Sequence, residues 1–187
     1  MPVAPPTALL IVDMINLFDF EGGRHLGREA ETCARVIARL RQRFDEHGAP
    51  VIYANDNFSN WQGEFRDLVA CCSTAGGTPA KIARLLSPLS GNYHVLKPKH
   101  SAFQATALPI LLAKLRIRRL VLTGVAADSC ILATAQDANM REFELWVPRD
   151  AVAAQSAEKK AYSLALMAKS LHARILRTRA VNSLFPS

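Results

Sequence analysis

Three residues of this sequence are of types that could do chemistry and stand where their surroundings do not explain them. Cys130 lies in TGVAADSCILATAQDA, just past an apolar run and at the opening of a helical pattern. A helix N-terminus offers free N–H groups and a partial positive charge, which favour thiolate over thiol. The same amides can face an oxyanion that develops on a carbonyl, so one location can activate a sulfur nucleophile and supply part of an oxyanion hole. A buried structural cysteine at a strand–helix turn is the plain alternative. Asp13 ends the apolar run ALLIVD, where a carboxylate is costly to bury unless it is paired or functional. A helix cap or loop residue is its ordinary role, but the following MINLFDF is too apolar for a solvated loop. As a base it would need a raised pKa or close contact with the thiol. Lys97 stands between Leu96 and Pro98 at the end of another apolar run. An ammonium there can hold the charges of an aspartate and a thiolate in one site. The alternative, a snorkelling surface lysine, suits Lys99 better.

The elements that must position these residues alternate along the chain. ALLIVDM (8–14) and APVIYAND (49–56) read as strands buried on both faces. Residues 27–47 have helical spacing through Cys33, Val36, Ile37, Leu40 and Phe44, and stop at His47-Gly48. The polar, turn-rich stretch 57–79 reads as a long loop, followed by a helix over 81–89 and a strand over 93–98. A helix over about 104–115 starts late or kinks at Pro109. A strand over 118–125, a helix over 129–141, a strand over 143–148, a helix over 156–171 and a last strand near 173–178 complete the pattern. Such alternation predicts a three-layer α/β/α open parallel sheet of about six strands in a single domain spanning 1–187. In such a sheet, ligands sit at the carboxyl ends of the strands where the strand order switches. Asp13, Lys97 and the segment before Cys130 all fall at strand ends of that kind.

Composition narrows the classes of function. The chain has 187 residues, 50% of them hydrophobic, enough for one sizeable core. No apolar run approaches the ~20 residues that span a bilayer, and the N-terminus lacks the basic region of a signal peptide. Four cysteines without a CxxC pair fit reduced thiols and a cytoplasmic location. Cys33, within a helical pattern, reads as a small core or surface residue, not a reactive one. The net charge of +7 raises the possibility of nucleic acid. The basic residues are spread along the chain and do not interleave with aromatics, so the expected partner is a small molecule, with neither nucleic acid nor membrane.

The segments LLIVDMINLF, HVLKPKHSAFQATAL and VLTGVAADSCILATAQDA resemble the three signatures of the isochorismatase-like cysteine hydrolases. They stand in the family's order and spacing from about residue 7 to 153, and the SAF after the lysine and the GVxxDxC run are their most specific parts. The resemblance implies an Asp-Lys-Cys triad at Asp13, Lys97 and Cys130. It also implies a non-proline cis peptide at Val125-Ala126 that turns the amide of Ala126 toward an oxyanion, beside the amide of Cys130. It implies a homo-oligomer, a dimer or tetramer. No cofactor is expected.

The sequence also departs from its relatives. Nicotinamidases of this superfamily bind a metal through an Asp-x-His pair and further histidines; here Asp56 is followed by Asn57 and Phe58, and the five histidines form no pair at ligand spacing. No metal is expected. Phe18, Asp56, Phe58 and Trp61 are candidates for the substrate pocket, with core or loop packing as the alternative. A vinyl ether can be hydrolysed by protonation without sulfur, so Cys130 favours a C–N, amide-type bond over an isochorismatase-type enol ether. A non-catalytic binding module of the same fold is the reading outside enzymes.

Overall fold

The computed structural model describes residues 6–58, 61–180 and 185. Strand β1 (Thr7–Val12) is buried along its whole length, as a run of TALLIV with no polar alternation requires. Its side chains divide between two cores: Leu9 and Ile11 point to one face, and Ala8, Leu10 and Val12 to the other. Beside it lie β2 (Val51–Asp56), β3 (Tyr93–Lys97), β4 (Arg119–Val125), β5 (Glu144–Trp146) and β6 (Val152–Ala153). All pairings are parallel. The order is β3-β2-β1-β4-β5, with β6 on the carboxyl end of β4.

Helices cover both faces. The first core is closed by α1 (Gly23–Glu46), α2 (Phe65–Thr74) and α3 (Gly77–Leu85). The second is closed by α4 (Leu108–Lys114), α5 (Cys130–Met140) and α6 (Ala157–Ser170). The three-layer α/β/α architecture is the one expected. Helix α1 buries Leu26, Ala30, Cys33, Ile37, Leu40 and Phe44, a stripe at spacings of three and four. Among the described residues no helix is long and apolar enough to cross a membrane.

Four expected elements differ. The stretch 57–79 contains α2 and the start of α3. Helix α2 opens with a capping box in which the Glu64 backbone N–H donates to Asp67 at 2.7 Å, a signal of the E-x-x-D kind. Helix α3 spans 77–85, not 81–89, because Ser87 precedes a proline and is biased away from helical backbone. Helix α1 begins four residues before position 27. No strand forms near 173–178. Arg174 makes an isolated bridge with Trp146, and Thr178–Ala180 is a 3-10 turn. The sixth strand is β6, only two residues long. The tail is instead fastened by side chains: the Trp146 ring lies between the guanidinium groups of Arg119 and Arg174, each 4.6 Å from its centroid. Arg119 also pairs with Glu144 at 2.9 Å.

The strand order reverses between β1 and β4, so the connections leaving their carboxyl ends part and open a crevice. Gly124 makes the closeness of these strands possible. It pairs with Val12 at a φ of 116°, and a Cβ there would fall on the Val12 carbonyl oxygen and 2.8 Å from the Val12 nitrogen. Gly124→Ala should therefore combine backbone strain with overpacking and lower stability by about 2–4 kcal/mol, read as a shifted urea midpoint with an unchanged m-value.

Candidate active site

Each of the three side chains is carried to the crevice by the end of a sheet strand or the start of the next helix. Asp13 follows β1 in a left-handed conformation (φ 51°), and its N–H bonds to the Ala54 carbonyl at 3.0 Å. Lys97 is the last residue of β3 and reaches past the end of β2. Cys130 is the first residue of α5. Lys97 is fully buried, and its Nζ has three partners: Asp13 Oδ2 at 2.8 Å, the Lys99 carbonyl at 3.1 Å and Cys130 Sγ at 3.5 Å. An ammonium has three protons, so each can be used. The other Asp13 oxygen, Oδ1, accepts the Asp56 N–H at 2.7 Å. Asp13 itself is only 4% exposed.

Burial sets the proton affinities. It pushes the Asp13 carboxyl above its usual range, while the Lys97 charge and hydrogen bonds from Cys130, Lys97 and Asp56 pull it back. Burial lowers the Lys97 ammonium, but its partners, the charge and hydrogen bond of Asp13 foremost, more than offset this and hold it above its ordinary value. The Cys130 thiol is pushed up to about 12, first by burial and then by the Asp13 charge, against the pull of Lys97. At rest the sulfur is therefore a thiol. Transfer of its proton to Asp13 is one route to the thiolate expected at a helix N-terminus. That transfer keeps the site neutral, because one ammonium balances one anion before and after it. Burial likewise raises Cys33 to about 11, against the pull of the Lys160 charge, and Cys72 to about 12.

The turn between β4 and α5 shapes the space over the sulfur. The Val125-Ala126 peptide is cis. The N–H of Ala127 bonds to the Ala153 carbonyl, and those of Ser129 and Ile131 bond to the Ala126 carbonyl. Among the described residues the amides of Ala126 and Cys130 have no such partner. The cleft above them has a volume of about 500 Å³. Asp56 and Phe58 line it. Phe18 does not. It is buried in the first core, its ring against Gly27 of α1, where a Cβ would come within 3.2 Å of the ring. Phe20, two residues on and 47% exposed, lines the cleft in its place. Trp61 is 75% exposed and lies outside the cleft wall. Sequence reasoning missed Asn16, His100, Asp128, Gln155 and Lys159, which also line it. Of these, Asn16, His100 and Asp128 lie within the quoted signature segments, a signal that could have found them. Gln155 and Lys159 arrive through the topology alone.

The residues do not fit the metal that related nicotinamidases hold. Position 58, where the second ligand of the Asp-x-His pair would stand, is phenylalanine, and Asp56 Oδ1 accepts the Phe58 N–H at 2.7 Å. Among the described residues no three His, Cys, Asp or Glu side chains are gathered as a metal would need.

The model of the isochorismatase domain matches residues 7–180. The uncharacterized isochorismatase family protein YaaI of Bacillus subtilis (strain 168) is 38% identical over 168 residues, covering 90% of this chain and 92% of that one. Among solved structures, the N-carbamoylsarcosine amidase from Thermoplasma acidophilum superposes with a TM-score of 0.70 at 29% identity, over 92% of this chain and 96% of that one. The nicotinamidase/pyrazinamidase PncA from Bacillus subtilis superposes with a TM-score of 0.73 at 26% identity, over 91% and 99%.

A thiol whose pKa is raised on folding stabilises the fold fully below its unfolded value and loses that contribution as pH rises through the folded one. For Cys130 the window runs from the ordinary thiol value of 9.0 up to about 12. Above pH 9 the wild type should lose stability more steeply than Cys130→Ala, by up to about 1.4 kcal/mol per pH unit. Urea midpoints of both proteins between pH 8 and 11 check this, and parallel curves would contradict the raised thiol.

Proposed function

The chain belongs to the isochorismatase family of hydrolases, and from that premise we propose that it cleaves the C–N bond of a small amide through Cys130. Asp13 takes the thiol proton, and Lys97 balances the charge. The thiolate attacks the amide carbon, and the oxyanion accepts the N–H groups of Ala126 and Cys130. Collapse breaks the C–N bond, and protonated Asp13 returns its proton to the departing nitrogen. Water then releases the acyl group from sulfur. One observation carries this reading: Lys97 Nζ stands 2.8 Å from Asp13 and 3.5 Å from Cys130 Sγ at the floor of a cleft.

Two further points support amide chemistry. A sulfur nucleophile is superfluous for protonating an enol ether. The N-carbamoylsarcosine amidase and nicotinamidase structures, which share this fold, are both named for amide cleavage. Asp56, Phe58 and Phe20 would contact the substrate, and the whole would act as one isochorismatase-like domain. The four free cysteines suit a reducing compartment, the cytoplasm. Self-association as a dimer or tetramer belongs to the same reading.

A panel of small amides, nicotinamide and N-carbamoyl amino acids among them, should give at least one that releases ammonia. Cys130→Ala should abolish that release, and a fully active variant would end the proposal. Asp13→Asn should separate reactivity from turnover. Hydrolysis should fall at least ~100-fold with the acid–base group gone. Yet Cys130 should be alkylated by iodoacetamide at lower pH than in the wild type: burial, the larger cause of its raised pKa, stays, but the Asp13 charge that adds to it is removed while Lys97 remains. Mass spectrometry of the labelled peptide reads the second effect; unchanged or slower labelling would contradict the assigned roles.

A further inference from the structure

The sulfur of Cys130 has ionisable side chains on two sides. Asp13 and Lys97 lie on its buried side. On its open side is His100, an exposed residue three positions beyond Lys97. Its Nδ1 lies 3.7 Å from Cys130 Sγ and 3.4 Å from Ser129 Oγ. Among the described residues it is the one imidazole on the cleft wall.

Once the sulfur carries an acyl group, water can reach the thioester only from the mouth of the cleft. Asp13 is then behind the sulfur, with Oδ1 accepting the Asp56 N–H and Oδ2 accepting Lys97. His100 is in front, on the path that water must take. Resting on the reading that Cys130 is acylated, we propose that His100 is a further catalytic residue, the general base of deacylation. Neutral His100 takes one proton from water as the water oxygen bonds to the thioester carbon. The resulting oxyanion collapses, the C–S bond breaks, and the electron pair stays on sulfur. The imidazolium, still beside that sulfur, returns the proton to it. The products are the free acid, the thiol and neutral His100. Asp13 serves acyl transfer and His100 serves acyl release, so the two half-reactions use opposite sides of one atom.

The test uses p-nitrophenyl acetate as an acylating probe on the full chain, with intact-mass and peptide analysis of the acetylated protein. Wild type should be acetylated at Cys130 and then lose the acetyl group. His100→Gln should be acetylated at Cys130 to the same extent but should hold the acetyl group at least ~10-fold longer. Added imidazole should shorten that lifetime in the variant more than in the wild type. Equal lifetimes in the two proteins would overturn the role of His100 and leave the cysteine mechanism intact. So would a His100→Gln protein that keeps its circular dichroism spectrum but is not acetylated, since His100 would then act before the acyl-enzyme. Wild-type protein labelled elsewhere than Cys130, or not at all, would instead sink the cysteine reading on which the inference stands.

Discussion

An ammonium with no exposed surface is among the most expensive groups a fold can bury, and Lys97 is tolerated because every proton it carries has an acceptor. Its pairing with Asp13 at 2.8 Å links the end of β3 to the end of β1 across β2, so three strand ends must finish flush for the bond to form. The Asp56 amide, at the end of β2, closes the same arrangement from between them. Removing either charge would leave the other buried and unpaired, a loss of about 3–5 kcal/mol in comparable cases. The pair is poor value as stabilisation alone, and its cost is intelligible once the third acceptor of Lys97 is a sulfur.

The rest of the architecture serves that junction. The two cores hold the sheet from both sides, and its strand order reverses between the two strands that deliver Asp13 and the Cys130 turn. Gly124 lets those strands approach where they begin to diverge. In the proposed mechanism the proton passes between thiol and carboxylate beside a fixed ammonium, so the net charge of the buried site stays constant while its internal charge distribution changes. A low-dielectric interior resists a change of total charge far more than a shift of a proton within a compensated group.

Much of this was legible in the residues. A charged side chain ending an apolar run is conspicuous, and Asp13 and Lys97 were both found that way; Cys130 was marked by its place before a helix. What escaped was decided by local backbone or distant packing. Phe18 and Phe20 are chemically equivalent in NLFDF; a left-handed residue at Phe18 and the bare surface of Gly27 determine which one goes inside. His100 looked like one of five unpaired histidines because its partner is 30 positions away in sequence. Strand β6 has two residues, too few for any alternation to register, and a longer apolar stretch near 173–178 drew the assignment instead. Helix α2 was hidden by its polar flanks, although its capping box was written in the sequence.

The clasp around Trp146 bears on how the basic character of the chain should be understood. Arg119 and Arg174 both pack on one indole, and Arg119 is paired with Glu144. Guanidinium groups held against an aromatic quadrupole act as mortar between sheet and tail. An isoelectric point computed from composition counts them in full. The tally of arginines therefore includes at least two with a structural task, the joining of sheet to tail.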